Sequence, residues 1–140
     1  MAFREKSAWI MAAALLLGGA SYFGVVLTAW SASGGLLPPL IPLIVLYTAC
    51  LVGIAVAGHI VIALWTPREA NMPMDEREKR IFFRAGHHSA HLCALGLLVS
   101  LGLYLVFRSG DLLFYTVFAS LMLAQLMEYV LQIVFYRTKS

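Results

Sequence analysis

The feature that most limits what this chain can fold into is a set of four apolar runs, at about 8–30, 40–65, 87–107 and 112–136, separated by short polar or proline-rich breaks. A bilayer core about 30 Å thick is crossed by roughly 20 helical residues at ~1.5 Å each, and every run reaches that length. Lipid offers no hydrogen bonds to the backbone, so each run is expected to satisfy its own polar groups as a helix. The short alternating strands of a transmembrane barrel are not visible. Composition points the same way: 61% of the 140 residues are hydrophobic and 12% charged, against about a quarter charged in a soluble domain. The length leaves room for one domain. Residues 1–140 therefore read as a single all-α, polytopic membrane domain with four transmembrane helices and a loop at 66–86.

Charge placement orients the runs. Arg4 and Lys6 precede the first. Arg68, Arg77, Lys79, Arg80 and Arg84 lie between the second and third, Arg137 and Lys139 follow the fourth, and the opposite side holds only Arg108. The positive-inside rule then places both termini and the 66–86 loop in the cytoplasm. Trp9, Trp65 and Tyr136 fall at that interface and Trp30, Phe107 and Tyr115 at the other. Both outer connections are short: one carries Gly34-Gly35 and Pro38-Pro39, the other is Ser109-Gly110-Asp111. Such connections make chain neighbours antiparallel, giving an up-down-up-down bundle. Pro42 fits the first turn of the second helix, where no hydrogen bond is lost. The first run exceeds the roughly 7–15 residues of a signal-peptide core, so it reads as a retained helix despite Ser31-Ala32-Ser33 behind it.

The third helix is expected to begin well before its apolar run. Asp75 has the chemistry of an N-cap, and Glu78 three residues on completes a capping box. Glu76 and Arg80 are spaced as an i,i+4 pair. A helix from Asp75 to Phe107 is about 50 Å long, so roughly its first ten residues should extend into the cytoplasm. Arg-Glu-Lys occurs at 4–6 and again at 77–79, each time ahead of a helix leaving the cytoplasm. Cys50 and Cys93 fall at different depths and read as packing residues rather than a disulfide.

Three stretches, Phe3-Arg4-Glu5-Lys6-Ser7-Ala8-Trp9, Asp75-Glu76-Arg77-Glu78-Lys79-Arg80-Ile81 and Leu131-Gln132-Ile133-Val134-Phe135-Tyr136-Arg137, carry a resemblance to an uncharacterised family (a domain of unknown function) of small bacterial four-helix inner-membrane proteins. The resemblance covers most of the chain. It implies a bacterial cytoplasmic membrane and no particular activity. Where this chain has three histidines at 87–91, the family pattern is polar but poor in histidine.

Ionisable groups inside a membrane are costly and mark candidate sites. Here they gather at one depth: His59 on the second run, His87, His88 and His91 opening the third, and Glu128 on the fourth between Gln125 and Gln132. At ~100° per residue Gln125, Glu128 and Gln132 share a narrow arc expected to face protein. On the third helix Gly86, Ser89, Cys93, Gly96 and Ser100 form a small-residue row, with the histidines roughly opposite. Ala49, Gly53 and Ala57 form such a row on the second, and these rows allow close helix approach. Four readings follow. His59, His87, His91 and Glu128 have the donor types of a divalent-metal site. His59 and His91 are spaced to act as axial haem ligands. Glu128 with Gln125 and Gln132 suits a substrate or proton relay in a small transporter or channel. The fourth reading is that His87 and His88 meet headgroups while His59, His91 and Glu128 lock the bundle by hydrogen bonding.

Arg77, Lys79, Arg80 and Arg84 form a basic segment that meets anionic lipid headgroups or a cytoplasmic protein partner. A homodimer or larger homo-oligomer is expected. Basic runs with interleaved aromatics are missing, so nucleic acid is not an expected partner. Motifs of soluble enzymes, among them phosphate-binding glycine loops, Gly-x-Ser-x-Gly and His-Glu-x-x-His, are missing too. The leading expectation is a non-enzymatic scaffold or regulatory membrane protein without a cofactor.

Overall fold

In a computed structural model, which describes residues 3–67 and 72–138, the chain is all-helical. Helix α1 covers Phe3–Ser33, α2 Ile41–Trp65, α3 Glu76–Phe107 and α4 Gly110–Thr138. All four are long and apolar enough to cross a membrane. Arg68 and Lys139, two of the charges used above to orient the chain, lie outside the described residues.

The helix ends follow from local chemistry. Gly34, at φ +72°, donates its N–H to the Trp30 carbonyl and ends α1 in a left-handed turn that a side chain would strain. Leu40 is extended, and Pro42 sits in the first turn of α2 at no cost in hydrogen bonds. Asp75 caps α3, taking the Glu76 N–H at 2.7 Å, while the Glu78 carboxylate takes the Asp75 N–H at 3.4 Å. The capping box is formed, and α3 runs unbroken to Phe107. Arg108 closes α3 in the left-handed region at φ 53°, and Ser109 Oγ accepts the Leu112 N–H at 3.2 Å to start α4. The expected i,i+4 pairing of Glu76 with Arg80 is replaced. Lys79 Nζ reaches Glu76 Oε1 at 2.7 Å, and Arg80 Nε bonds the Glu76 backbone carbonyl at 3.4 Å instead.

Packing does not follow chain order. α2 lies on α1, α1 on α4, and α4 on α3. The two helices that precede and follow residues 66–75, α2 and α3, are therefore at the two ends of this packing order. Ser7 meets His59, and Gly58 faces Ile10. Glu5 meets Arg137, and Tyr22 meets Phe118. Arg84 lies on Phe135, and Gly96 abuts Ser120.

Small residues set the closest seam. Ser89 and Ser100 of α3 are buried and Gly86, Cys93 and Gly96 half-buried, as the small-residue row predicts, while His87, His88 and His91 are exposed. A Cβ on Gly96 would stand 2.5 Å from Ser120 Oγ, so this approach needs a glycine. The row on α2 is not used this way. Ala49, Gly53 and Ala57 are exposed, nothing lies within 4 Å of a Cβ at Gly53, and α2 instead meets α1 at Gly58.

The two ends of the bundle differ. One holds a core of Ala8, Ala12 and Ile133 flanked by Leu126 and Tyr129. Toward the other, Tyr22, Tyr47 and Phe118 pack with ring centroids 5.0–5.7 Å apart, joined by Phe23 and Phe114. The hydroxyls of Tyr22 and Tyr47 are buried there without a hydrogen-bond partner among the described residues.

Candidate functional site

Where α1 starts, α2 ends, α3 starts and α4 ends, the apolar packing gives way to charged and polar groups around a cleft of about 300 Å³. Its polar lining is Arg4 and Ser7 from α1, His59 from α2, Glu78 from α3, and Tyr129, Gln132 and Tyr136 from α4.

Several of these groups hold one another. Arg4 Nε donates to Glu78 Oε2 at 3.1 Å, and Arg4 Nη2 to the Met72 carbonyl at 3.3 Å. Glu78 thus serves twice: it completes the capping box of α3 and fastens that helix to the start of α1. His59 Nδ1 lies 2.6 Å from the Ala55 carbonyl, which only accepts, so this nitrogen carries the proton. In the neutral ring Nε2 is then the acceptor for Ser7 Oγ, also at 2.6 Å. With this bond between α1 and α2, both ring nitrogens of His59 are engaged. Beside the cleft, Glu5 is buried and lies 3.6 Å from Arg137 Nε, whose guanidinium also sits over Trp9 at 5.2 Å. A buried carboxylate is costly without a partner, and Arg137 supplies one.

The residues singled out from sequence are distributed over three places. His59 and Gln132 line the cleft. Glu128 is half-buried just beyond it and accepts Gln132 Nε2 at 3.3 Å, whereas Gln125, one turn further along the expected protein-facing row, is exposed. His87, His88 and His91 are exposed on α3, with His91 Nδ1 on the His87 carbonyl at 2.8 Å and the His87 and His91 rings 4.4 Å apart. Among the described residues no three His, Cys, Asp or Glu side chains are grouped to hold a metal ion. His59, His91 and Glu128 are therefore not assembled into the one centre considered from sequence. The helix order is the reason: His59 is on one flanking helix and the histidine row on the other.

The third place is a second hollow, of about 280 Å³, lined by Arg77, Arg80, Ile81, Arg84 and Phe135. Lys79 points elsewhere, to Glu76.

Arg4, Ser7, Glu5, Glu78, Tyr129 and Tyr136 were not foreseen as site residues. One signal for two of them is present in the sequence: the repeated Arg-Glu-Lys places opposite charges at two helix starts on one side, and Arg4 of the first copy pairs with Glu78 of the second. No family model, no curated protein and no solved structure matches this chain.

Proposed function

We propose that this chain is a multi-pass protein of the bacterial cytoplasmic membrane, an up-down-up-down bundle with both termini and the polar cleft on the cytoplasmic side. In that setting it acts without catalysis, as a scaffold or regulatory protein whose cytoplasmic end recognises a partner. One observation carries the reading: four helix ends are tied by Arg4–Glu78, Ser7–His59 and Glu5–Arg137 around one open polar cleft, while the flanks of the molecule are apolar. Basic residues cluster at this end, as the positive-inside rule requires of a cytoplasmic face. The cleft's carboxylate, guanidinium and imidazole are already committed to partners, an arrangement suited to holding shape rather than to transferring protons.

Topology is tested with single cysteines in a Cys50→Ser/Cys93→Ser background. A membrane-impermeant maleimide should label Gly35→Cys on intact spheroplasts and should reach Met72→Cys only after lysis; the reverse pattern overturns the orientation. For the scaffold role, a photocrosslinking residue at Met74 or Phe82 in living cells should trap one discrete protein adduct that weakens in Glu78→Gln. Adducts that are absent, or indifferent to Glu78, count against it.

A relay in a small transporter is the second reading. It is favoured by the Glu128–Gln132 bond, which joins a carboxylate at membrane depth to the cleft. Proton or solute flux in proteoliposomes should then fall sharply in Glu128→Gln, and unchanged flux removes it. Self-association belongs to the same proposal and is read by light scattering in detergent.

A further inference from the structure

We propose that His87 and His91 of α3 bind a divalent transition-metal ion of the zinc class together with the same two histidines of a second copy, so that one ion joins two chains. The site lies apart from the polar cleft. It deepens the self-association proposed above and rests on the membrane setting of that reading.

His87 and His91 stand four residues apart, one above the other on the exposed face of α3, with ring centres 4.4 Å apart. This is the spacing at which two histidines of one helix bind one zinc ion. Nitrogens bound at ~2.0–2.1 Å in a tetrahedron stand about 3.3 Å apart, and rings at this separation bring their nitrogens to that distance by turning about the Cβ–Cγ bonds. One ring is already set for the task. His91 Nδ1 lies 2.8 Å from the His87 carbonyl, which only accepts, so Nδ1 carries the proton. In the neutral ring the lone pair is then on Nε2. A metal-bound histidine is held the same way, its second nitrogen donating to a backbone carbonyl. The nearest guanidinium groups on the helix are drawn aside: Arg84 lies on Phe135 of α4, and Arg80 bends back to the Glu76 carbonyl.

Two imidazoles leave the ion half coordinated. A structural zinc ion takes four ligands, and among the described residues no third His, Cys, Asp or Glu is grouped with these two. The row they belong to indicates where the other two come from. His87, His91, Ala94, Leu98, Leu101 and Leu105 recur at alternating steps of four and three residues, the seam spacing of two packed helices, and all six are exposed. They run about 27 Å along α3, on the side away from Gly96, which abuts α4. A second α3 therefore meets this row without displacing α4. Lipid tails solvate the alanine and leucines as well as protein does, so those residues alone draw no partner. The histidines at the end of the row do, because polar side chains turned toward lipid are costly. A two-fold contact presents the same row from both chains, and two pairs of imidazoles complete a tetrahedral site.

The test uses the full chain without an affinity tag, in a Cys50→Ser/Cys93→Ser background, purified in detergent and stripped with EDTA. Calorimetric titration with Zn²⁺ should give one ion per two chains. Light scattering should show the protein mass double with Zn²⁺ and return with EDTA. Mg²⁺, which prefers oxygen ligands, should do neither. His87→Ala or His91→Ala should lower the Zn²⁺ affinity roughly a hundredfold, the upper end of what losing an outer partner of a metal site costs, and abolish the doubling. Both side chains are exposed, so both variants should fold. His88→Ala, one residue round the helix, should behave as the parent. A short bismaleimide should link Ala94→Cys to its twin in Zn²⁺ and not in EDTA, and should not link Val99→Cys, on another face of α3. No Zn²⁺ uptake, uptake that neither histidine variant weakens, or an equal loss in His88→Ala overturns the site. One ion per chain at unchanged mass, or linking through Val99→Cys in place of Ala94→Cys, overturns the second copy as the source of the missing ligands. A dimer that EDTA leaves intact overturns the ion as its link, while the self-association proposed above stands. The maleimide labelling of Gly35→Cys and Met72→Cys reads the membrane orientation independently of all of these.

Discussion

Helices α2 and α4 both qualify as membrane spans, yet they occupy opposite positions in the molecule. α2 carries the most apolar stretch of the four, and none of that stretch is buried. α4 carries the least apolar stretch, and it lies between α1 and α3 with Tyr115, Ala124, Gln132 and Ile133 buried. In water the order would be reversed. In a bilayer, lipid tails solvate an apolar helix as well as protein does, so the polar and small residues are what association conceals. α4 brings Ser120 to Gly96 and Gln132 to the cleft, whereas α2 brings Gly58, His59 and the Tyr47 ring.

That contrast is open to direct attack. The largest effect is expected at the α3–α4 seam. Gly96→Leu forces a side chain against Ser120 and should destabilise the detergent-solubilised protein by about 3 kcal/mol, at the upper end for overpacking. The check is an SDS-unfolding titration. Gly58→Val meets the Ile10 side chain first, with Cγ2 2.7 Å from the new Cβ. That chain is able to rotate away, so the same titration should register about 1–2 kcal/mol. Ser7→Ala removes the one side-chain hydrogen bond described between α1 and α2 and should cost about 1 kcal/mol. It should also increase proteolysis of the 66–75 connection, and a larger cost than that of Gly58→Val would mean that α2 is held by polarity rather than by shape. Gly53→Leu, on the exposed row of α2, should change stability by less than about 0.5 kcal/mol in the monomer. A substantial loss there would show that α2 is covered by protein after all.

Much of the secondary structure was legible because it is local. The four runs, the glycine and proline breaks, the Asp75–Glu78 capping box and the unbroken α3 all depend on residues within a few positions of one another. The two faces of α3 were legible for the same reason, since helical periodicity alone separates Gly96 and Ser100 from His87 and His91. Periodicity failed on α2, where Ala49, Gly53 and Ala57 have the same pattern and are exposed among the described residues. It failed in part on α4, where one polar row runs from buried Gln132 to exposed Gln125. A row names a face and leaves open what that face meets.

The candidate site shows the same division. His59, Gln132 and Glu128 were singled out because ionisable and amide groups are rare in such runs. Their partners were not, because Ser7 is unremarkable in sequence and Arg4 and Glu78 are 74 residues apart. Composition and local periodicity determined that this chain forms four helices of membrane-crossing length, where they start and stop, and that its charge is concentrated at one set of helix ends. Only the tertiary structure decided that α2 and α3 lie at opposite flanks. That order separates His59 from the histidine row, joins Arg4 to Glu78 and sets Phe135 behind three arginines. Helix order depends on which pairs of faces fit at close range, and that fit is a property of two surfaces together that neither stretch of sequence carries alone.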